Sequence, residues 1–113
     1  MASVLVVEDS ADLRDMYLEI LSLDGHAVRA AETAAEAIAA ATAEPPAVVV
    51  LDLGIAGGVT ELLATLGPEP KVILASGARD LPERAAALGA AYLLKPFAPE
   101  QLQAAVAAAT AKG

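Results

Sequence analysis

Short runs of consecutive apolar residues recur along the chain. Residues 4–7 and 48–51 consist of valine and leucine alone, and residues 72–75 form a similar run. Uninterrupted runs rich in β-branched residues indicate strands buried on both faces, as in a parallel sheet. Residues 91–94 resemble them, and residues 27–30 give a weaker signal. The pattern therefore predicts five short strands.

Helical patterning fills the segments between these strands. Behind Ser10, a predicted N-cap, apolar residues recur at the spacing of one helical face. They are Leu13, Met16, Tyr17, Ile20 and Leu21. Four further helices are predicted from capping pairs, prolines and glycines, at residues 33–43, 60–66, 82–88 and from Pro99 onward. Regular alternation of strand and helix predicts an α/β fold, a doubly wound parallel sheet with helices on both faces.

Composition narrows the functional classes. The chain has 113 residues, enough for one domain with one core, and a formal charge of −8 that argues against a nucleic-acid surface. It has no cysteine and a single histidine, His26, which excludes disulfides, thiolate metal sites and multi-histidine clusters. The first apolar run is too short for a signal peptide or a membrane span. We expect a cytoplasmic protein that binds neither membrane nor nucleic acid.

Polar residues occur where the predicted strands end. Asp9, Asp52, Ser76 and Lys95 follow or close four of the five strands, and Glu8 precedes Asp9. The carboxyl ends of parallel strands share one edge of a sheet, which is where open α/β sheets bind ligands. Taken singly, each residue is more often a cap, a turn residue or a solvated side chain. Their joint placement predicts one pocket.

The chemistry of this pocket suits phosphoryl transfer. Three neighbouring carboxylates repel one another unless a cation joins them, and Mg²⁺ with its preference for oxygen ligands is the natural ion. Lys95 would face the oxygens of an incoming phosphoryl group, and Ser76 would offer a hydroxyl. Asp52 is then predicted as the nucleophile that carries phosphate as an acyl phosphate.

Four motifs in this order resemble the receiver domain of bacterial two-component response regulators. They are residues 4–9 (VLVVED), residues 49–53 (VVLDL), residues 75–77 (ASG) and residues 94–97 (LKPF). The resemblance covers essentially the whole chain, so we expect one receiver domain at residues 1–113. It implies a flavodoxin-like sheet with strand order 2-1-3-4-5.

The resemblance also implies a role for each site residue. Asp52 would be phosphorylated by a histidine kinase or a histidine phosphotransfer protein. Mg²⁺ would be bound by Glu8, Asp9, Asp52 and the backbone carbonyl of Gly54. Ser76 would be the switch hydroxyl and Lys95 the partner of the phosphate. Tyr92 would be the switch aromatic, turning from exposed to buried and so changing the face formed by the fourth helix, fifth strand and fifth helix. The Lys95–Pro96 peptide bond would be cis.

The chain departs from the family pattern around the site. Ala56 stands where the family usually has a proline after Asp52. We expect Gly57 and Gly58 to make that loop flexible, and we expect the third and fourth helices to be short. We therefore expect an altered output surface, acting on an unknown partner, with the domain monomeric or a weak, phosphorylation-dependent dimer. We expect no output domain directly after residue 113, so that the receiver would either act alone or come from a longer chain.

Three alternatives remain beside this hypothesis. A pseudo-receiver would keep the fold and bind partners without phosphorylation, although such domains usually lack an acid or the lysine. A phosphohydrolase of the haloacid dehalogenase type would need a second acid two residues after Asp52, where Gly54 stands. A flavodoxin would need a Ser- and Thr-rich phosphate loop after the first strand, which is acidic here.

Other polar and aromatic residues have simpler interpretations. We expect Phe97 to pack in the core and His26 to be an exposed turn residue. Apart from the switch role that the resemblance implies, Tyr92 would by default be a half-buried strand aromatic.

Overall fold

The computed structural model describes residues 2–55 and 57–110, which form a five-stranded sheet and five helices. The strands are β1 (Ser3–Val7), β2 (Ala27–Ala31), β3 (Val48–Asp52), β4 (Lys71–Ser76) and β5 (Ala91–Leu94). The helices are α1 (Ala11–Leu23), α2 (Ala34–Ala43), α3 (Val59–Leu66), α4 (Leu81–Leu88) and α5 (Pro99–Thr110). All pairings are parallel in the order β2-β1-β3-β4-β5. The predicted doubly wound fold and its strand order are confirmed.

The central strand β3 is buried along its whole length and divides the core in two. Successive side chains of a strand point to opposite faces. Val49 and Leu51 accordingly pack in a cluster with α2, α3 and α4, whereas Val48 and Val50 pack in a cluster with α1 and α5. Covering both faces explains why the strand sequence is continuously apolar rather than alternating.

The apolar face of α1 is narrower than its spacing predicts. Tyr17 and Leu21 are buried and Leu13 packs at the edge of their cluster, but Met16 is 40% exposed. A helix turns by about 100° per residue, so Met16 lies well round the helix from Tyr17, outside the stripe that meets the sheet. Met16 instead lines a hollow between α1 and residues 95–97. Its expected place on the packed face was wrong.

The third and fourth helices have eight residues each, and both are well formed. Leu62 and Leu66 bury one side of α3, and Leu81 and Ala85 bury one side of α4. Both helices are therefore short, but each still packs its apolar residues against the core. None of the helices in the described part of the chain is both long and apolar enough to span a membrane.

The loop after β3 is attached to the core on both sides of Ala56, which lies outside the described residues. Ile55 is buried in the cluster on the α2 side of the sheet. Gly57 has φ +99°, and a Cβ built there would lie 3.2 Å from the Cβ of Ala34. Glycine permits this backbone conformation and this close approach, so Gly57 lets the loop lie directly against the start of α2.

His26 differs from its sequence interpretation. It was expected to be an exposed turn residue, but it is half-buried and its Nδ1 accepts a hydrogen bond of 3.3 Å from the backbone N–H of Ala2. The contact links the start of β2 to the start of β1. His26 therefore has a structural role, because its ring nitrogen accepts a backbone hydrogen bond.

Candidate functional site

The carboxyl edge of the sheet brings together the residues predicted there. Glu8 and Asp9 follow β1, Asp52 closes β3, Ser76 closes β4 and Lys95 follows β5. Glu8 and Asp52 are only 1% and 7% exposed, although both are acids. Buried carboxylates require partners, and these partners define the site.

Lys95 joins the two buried acids. Its Nζ lies 2.9 Å from Oε1 of Glu8 and 3.3 Å from Oδ1 of Asp52. The ammonium thus lies between the ends of two neighbouring strands, reached from the end of a third. One cation facing two carboxylates leaves a net negative charge at the centre of the pocket.

Every polar group of Glu8 has a partner. Its backbone N–H donates to the carbonyl of Ala31, and its own carbonyl accepts a hydrogen bond from Nη1 of Arg14. Its side-chain oxygens accept hydrogen bonds from Nζ of Lys95 and from the backbone N–H of Ser10. These four contacts fix both the peptide and the carboxylate of a residue that is almost wholly buried.

The electrostatics of the pocket follow from this burial. Burial raises the pKa of Glu8 above its ordinary range and the charge of Asp52 adds to the rise, while the hydrogen bonds from Lys95 and Ser10 oppose it. For Lys95, burial alone would lower the pKa, but the hydrogen bond to Glu8 and the charges of Asp52 and Glu8 outweigh it and raise the pKa. Lys95 therefore stays charged beside the two buried acids.

The donor set of the pocket fits a hard divalent cation. Glu8, Asp9 and Asp52 each present a carboxylate oxygen, and the three oxygens lie within 4.8 Å of one another. Asp9 is exposed while the other two are buried, so the cluster opens to solvent on one side. Mg²⁺ binds through a few carboxylates and keeps several waters, which suits an open cluster of oxygen ligands.

Gly54, in the loop after β3, lies directly beside the carboxylate of Asp52. The backbone N–H of Gly54 donates to Oδ1 of Asp52 at 3.3 Å, the same oxygen that Lys95 contacts. A Cβ built on Gly54 would lie 3.5 Å from Oδ2, so any side chain at this position would stand directly beside the second oxygen. The metal contact of the Gly54 carbonyl stays a prediction.

Ser76 closes β4 and Tyr92 lies on β5, and the hydrogen bonds of the described residues join neither of them to Asp52. Oγ of Ser76 accepts a hydrogen bond of 3.0 Å from the backbone N–H of Ala78, and its carbonyl accepts one from the N–H of Lys95. Tyr92 is 44% exposed on β5. Leu94, at the end of β5, and Leu88, at the end of α4, are also exposed.

The segment that carries Lys95 is packed against α1. The Lys95–Pro96 peptide bond is cis, and the ring of Phe97 stacks on that of Tyr17 with centroids 5.6 Å apart. Phe97 packs against the core as expected. Burial raises the pKa of the Tyr17 hydroxyl. The aromatic pair fixes the path of the chain immediately after Lys95.

Two contributions to the site were absent from the sequence interpretation. Arg14 lies in the first turn of α1 and reaches back to Glu8, and Tyr17 holds Phe97 behind Lys95. Arg14 carried one signal, since it is the single cation in a helix that also contains Asp12, Asp15 and Glu19. Tyr17 carried none, because a tyrosine on an apolar helix face is ordinarily a core residue.

Comparison with known protein families finds a match over nearly the whole chain. The sequence model of the response regulator receiver domain matches residues 4–107. This chain belongs to that family. The receiver domain is a module of two-component signalling and is not a catalytic enzyme family. The resemblance seen in the four motifs is confirmed.

Two individual relatives are regulators longer than this chain. It is 31% identical to the C4-dicarboxylate transport transcriptional regulatory protein DctD of Rhizobium meliloti, over 88% of this chain and 23% of DctD. It is 32% identical to the response regulator MprA of Mycolicibacterium vanbaalenii, over 89% of this chain and 47% of MprA. The chain thus spans less than half the length of these curated relatives.

A solved structure of similar size gives the same fold. The chemotaxis response regulator CheY4 of Vibrio cholerae superimposes with a TM-score of 0.83 at 27% identity. The match covers 96% of this chain and 98% of CheY4. The receiver fold therefore accounts for nearly every described element.

Proposed function

We propose that this receiver domain is a phosphorylation switch in which Asp52 accepts a phosphoryl group. The observation that carries the proposal is the pair of contacts from Lys95 to Glu8 and Asp52 at the carboxyl edge of the sheet. A buried aspartate, a fixed ammonium and two further acids provide a nucleophile, a phosphate partner and a metal-binding cluster. We propose residues 1–113 as one functional domain.

The transfer itself needs little chemistry from the protein. A carboxylate oxygen of Asp52 attacks phosphorus on a phosphohistidine of the donor protein. The new P–O bond forms as the P–N bond breaks, and the leaving nitrogen keeps the electron pair of that bond. The donor imidazole, already protonated on its other nitrogen, leaves as a neutral ring. The product is an acyl phosphate on Asp52, and no other reactant is required.

The residues around Asp52 have separate tasks in this step. Glu8, Asp9 and Asp52, with the carbonyl of Gly54, would hold Mg²⁺, which supplies positive charge to the phosphoryl oxygens when bound. Lys95 would exchange its contact with Asp52 for one with a phosphoryl oxygen. Because Lys95 already lies at Oδ1 of Asp52, this exchange requires only a short movement of its Nζ.

The switch would run from Ser76 to Tyr92. In the arrangement described, Oγ of Ser76 is bonded within its own loop and Tyr92 points outward. A phosphoryl group on Asp52 offers oxygens that would draw the Ser76 hydroxyl and its loop inward. The movement would open space for Tyr92 to turn in and so reshape the exposed surface of Leu88, Tyr92 and Leu94 for an output partner.

The partners and self-reactions belong to the same proposal. The phosphoryl donor would be a histidine kinase or a histidine phosphotransfer protein, and small acyl phosphates would serve as donors in its place. Loss of phosphate would occur by hydrolysis at Asp52, with the small residue Gly54 leaving room for water. The domain would be monomeric, or would form a weak dimer when phosphorylated.

Labelling with a small donor tests this function. Incubation with acetyl phosphate and Mg²⁺ should add one phosphoryl group, seen by intact mass spectrometry, and beryllofluoride should bind at the same position. Asp52→Asn should abolish both while leaving the circular dichroism spectrum unchanged. A wild-type protein that takes no label would instead support a pseudo-receiver, and a labelled Asp52→Asn variant would move the phosphorylation site elsewhere.

A further inference from the structure

Arg14 is the only cationic side chain besides Lys95 that contacts Glu8 within the described residues. Its Nη1 donates to the Glu8 carbonyl at 3.0 Å and lies 3.7 Å from Oε1 of Glu32. The guanidinium therefore spans from the first turn of α1, across the loop after β1, to the loop after β2. Its side chain is 21% exposed, so this contact is partly shielded from water.

The carbonyl that Arg14 contacts belongs to the peptide between two acids of the metal cluster. The orientation of this peptide decides where Asp9 projects, because Asp9 is the next residue and its side chain is exposed. The Glu8 N–H is already fixed by Ala31 on the other side. A donor on the carbonyl completes the restraint of this short turn, so the Asp9 oxygen stays within reach of Glu8 and Asp52.

We infer that Arg14 is a positioning residue for divalent-cation binding, acting through the Glu8–Asp9 peptide. The inference rests on the proposed function, since it concerns the same cluster of acids. Groups hydrogen-bonded behind a metal ligand hold the ligand in its binding geometry, and their removal typically weakens metal affinity by about 10- to 100-fold.

Electrostatics alone makes the opposite prediction. Arg14 is a cation beside a site for a cation, so removing its charge should strengthen Mg²⁺ binding if repulsion were its main effect. If positioning dominates, removing it weakens binding. The direction of change therefore distinguishes the two roles, and a general loss of stability does not set that direction.

The test measures binding of Mg²⁺ alone by isothermal titration calorimetry, well below the unfolding midpoint of each variant. Arg14→Gln should weaken Mg²⁺ binding by about tenfold. Arg14→Lys, which keeps the charge and one donor, should lie between Arg14→Gln and the wild type. Arg84→Gln removes the same charge from the exposed side of α4 and should leave affinity unchanged or slightly stronger.

Each outcome decides a separate question. Weakening in the order wild type, Arg14→Lys, Arg14→Gln supports the positioning role. Equal or stronger binding by Arg14→Gln overturns it and leaves the proposed function intact. If Arg14→Gln does not fold, Arg14→Lys decides alone: weaker binding at unchanged charge supports the positioning role, and wild-type affinity overturns it. A wild-type protein that binds no Mg²⁺ overturns both this inference and the metal site of the proposed function.

Discussion

Glu8 and Lys95 are 87 positions apart in sequence and form a hydrogen-bonded ion pair of 2.9 Å at the edge of the sheet. Glu8 is almost wholly buried, so its carboxylate depends on this ammonium for most of the positive charge near it. Lys95 in turn contacts Asp52, the proposed phosphoacceptor. The same pair thus stabilises the buried acids and supplies the cation for phosphate.

Lys95→Ala should lower the free energy of unfolding at pH 7 by about 1–3 kcal/mol, because it leaves a buried carboxylate without its ionic partner. The loss should shrink at acidic pH, where Glu8 takes up a proton and no longer needs a cation. Urea unfolding at both pH values measures this. Lys71→Ala, which removes an exposed lysine on β4, is the control and should change stability by less than about 0.5 kcal/mol. An equal loss at both pH values would contradict the explanation.

The raised pKa of Glu8 also predicts how the free energy of unfolding depends on pH when no metal is bound. Its folded-state pKa is raised above the ordinary value of 4.5, so folding favours the protonated form. Protonated Glu8 therefore adds to the free energy of unfolding. This contribution is fully present below the unfolded-state pKa of Glu8 and is lost as pH rises through its folded-state pKa. With a chelator present, the wild type should lose stability relative to Glu8→Gln as pH rises from about 4.5.

Mg²⁺ should reverse this dependence, because it binds the charged carboxylate. Parallel unfolding curves with chelator and with Mg²⁺, for the wild type and for Glu8→Gln, would show the reversal as a difference between the two proteins. A stability difference between these proteins that stays constant from pH 4 to pH 7 with chelator would mean that folding does not raise the pKa of Glu8.

The positions of the acids and the lysine could be predicted, but their contacts could not. Parallel strands end at one edge, so Asp9, Asp52 and Lys95 had to meet there once the strands were recognised. Contacts such as that of Arg14 with the Glu8 carbonyl depend on the direction of a single peptide and the reach of a long side chain. Neither leaves a periodic signal in the sequence.

Helix faces show the same limit. The spacing of α1 marks five apolar residues, yet only Tyr17 and Leu21, on one side of that face, are buried. How wide a stripe is covered depends on how the neighbouring elements approach, and Met16 falls outside it. The stacking of Tyr17 on Phe97 is a meeting of two elements that periodicity within either one does not encode.

Arg29 provides a capping interaction that stabilises α2. Nη1 donates to the Ala40 carbonyl at 2.9 Å and Nη2 donates to the Glu44 carbonyl at 2.6 Å, and α2 has no basic residue in its own last turn. The guanidinium thus gives a second hydrogen bond to the Ala40 carbonyl, which also accepts the N–H of Glu44, and supplies a donor to the Glu44 carbonyl at the negative end of the helix. Arg29→Ala should lower the free energy of unfolding by about 1–2 kcal/mol, while Arg84→Ala on the surface should not. Equal effects of the two variants in urea unfolding would remove this role.

Gly57 is predicted to tolerate no side chain, for two separable reasons. Alanine there meets both a strained positive φ and the Cβ of Ala34 at 3.2 Å. Gly25 has a similar φ of +88° with nothing within 4 Å, so Gly25→Ala measures the conformational strain alone, about 1 kcal/mol. Gly57→Ala should be more destabilising than Gly25→Ala in thermal or urea unfolding. Combining it with Ala34→Gly should recover part of the excess, and equal effects at the two glycines would show that the contact with Ala34 is unimportant.

Tyr92 offers a direct optical test of the proposed switch, because the chain has two tyrosines and no tryptophan. Tyr92 is 44% exposed and Tyr17 is 3% exposed, so acrylamide quenching of the wild type reports mainly on Tyr92. Beryllofluoride with Mg²⁺ should reduce quenching as Tyr92 turns inward. The reduction should be absent in Tyr92→Phe, which keeps the ring but removes the reporter, and in Asp52→Asn, which removes the binding site.

Lys95→Ala should still bind Mg²⁺ yet show no reduction in quenching, because the contact that couples the phosphoryl group to the sheet edge is lost. Unchanged quenching in a wild-type protein shown to bind beryllofluoride would mean that Tyr92 is not the switch residue.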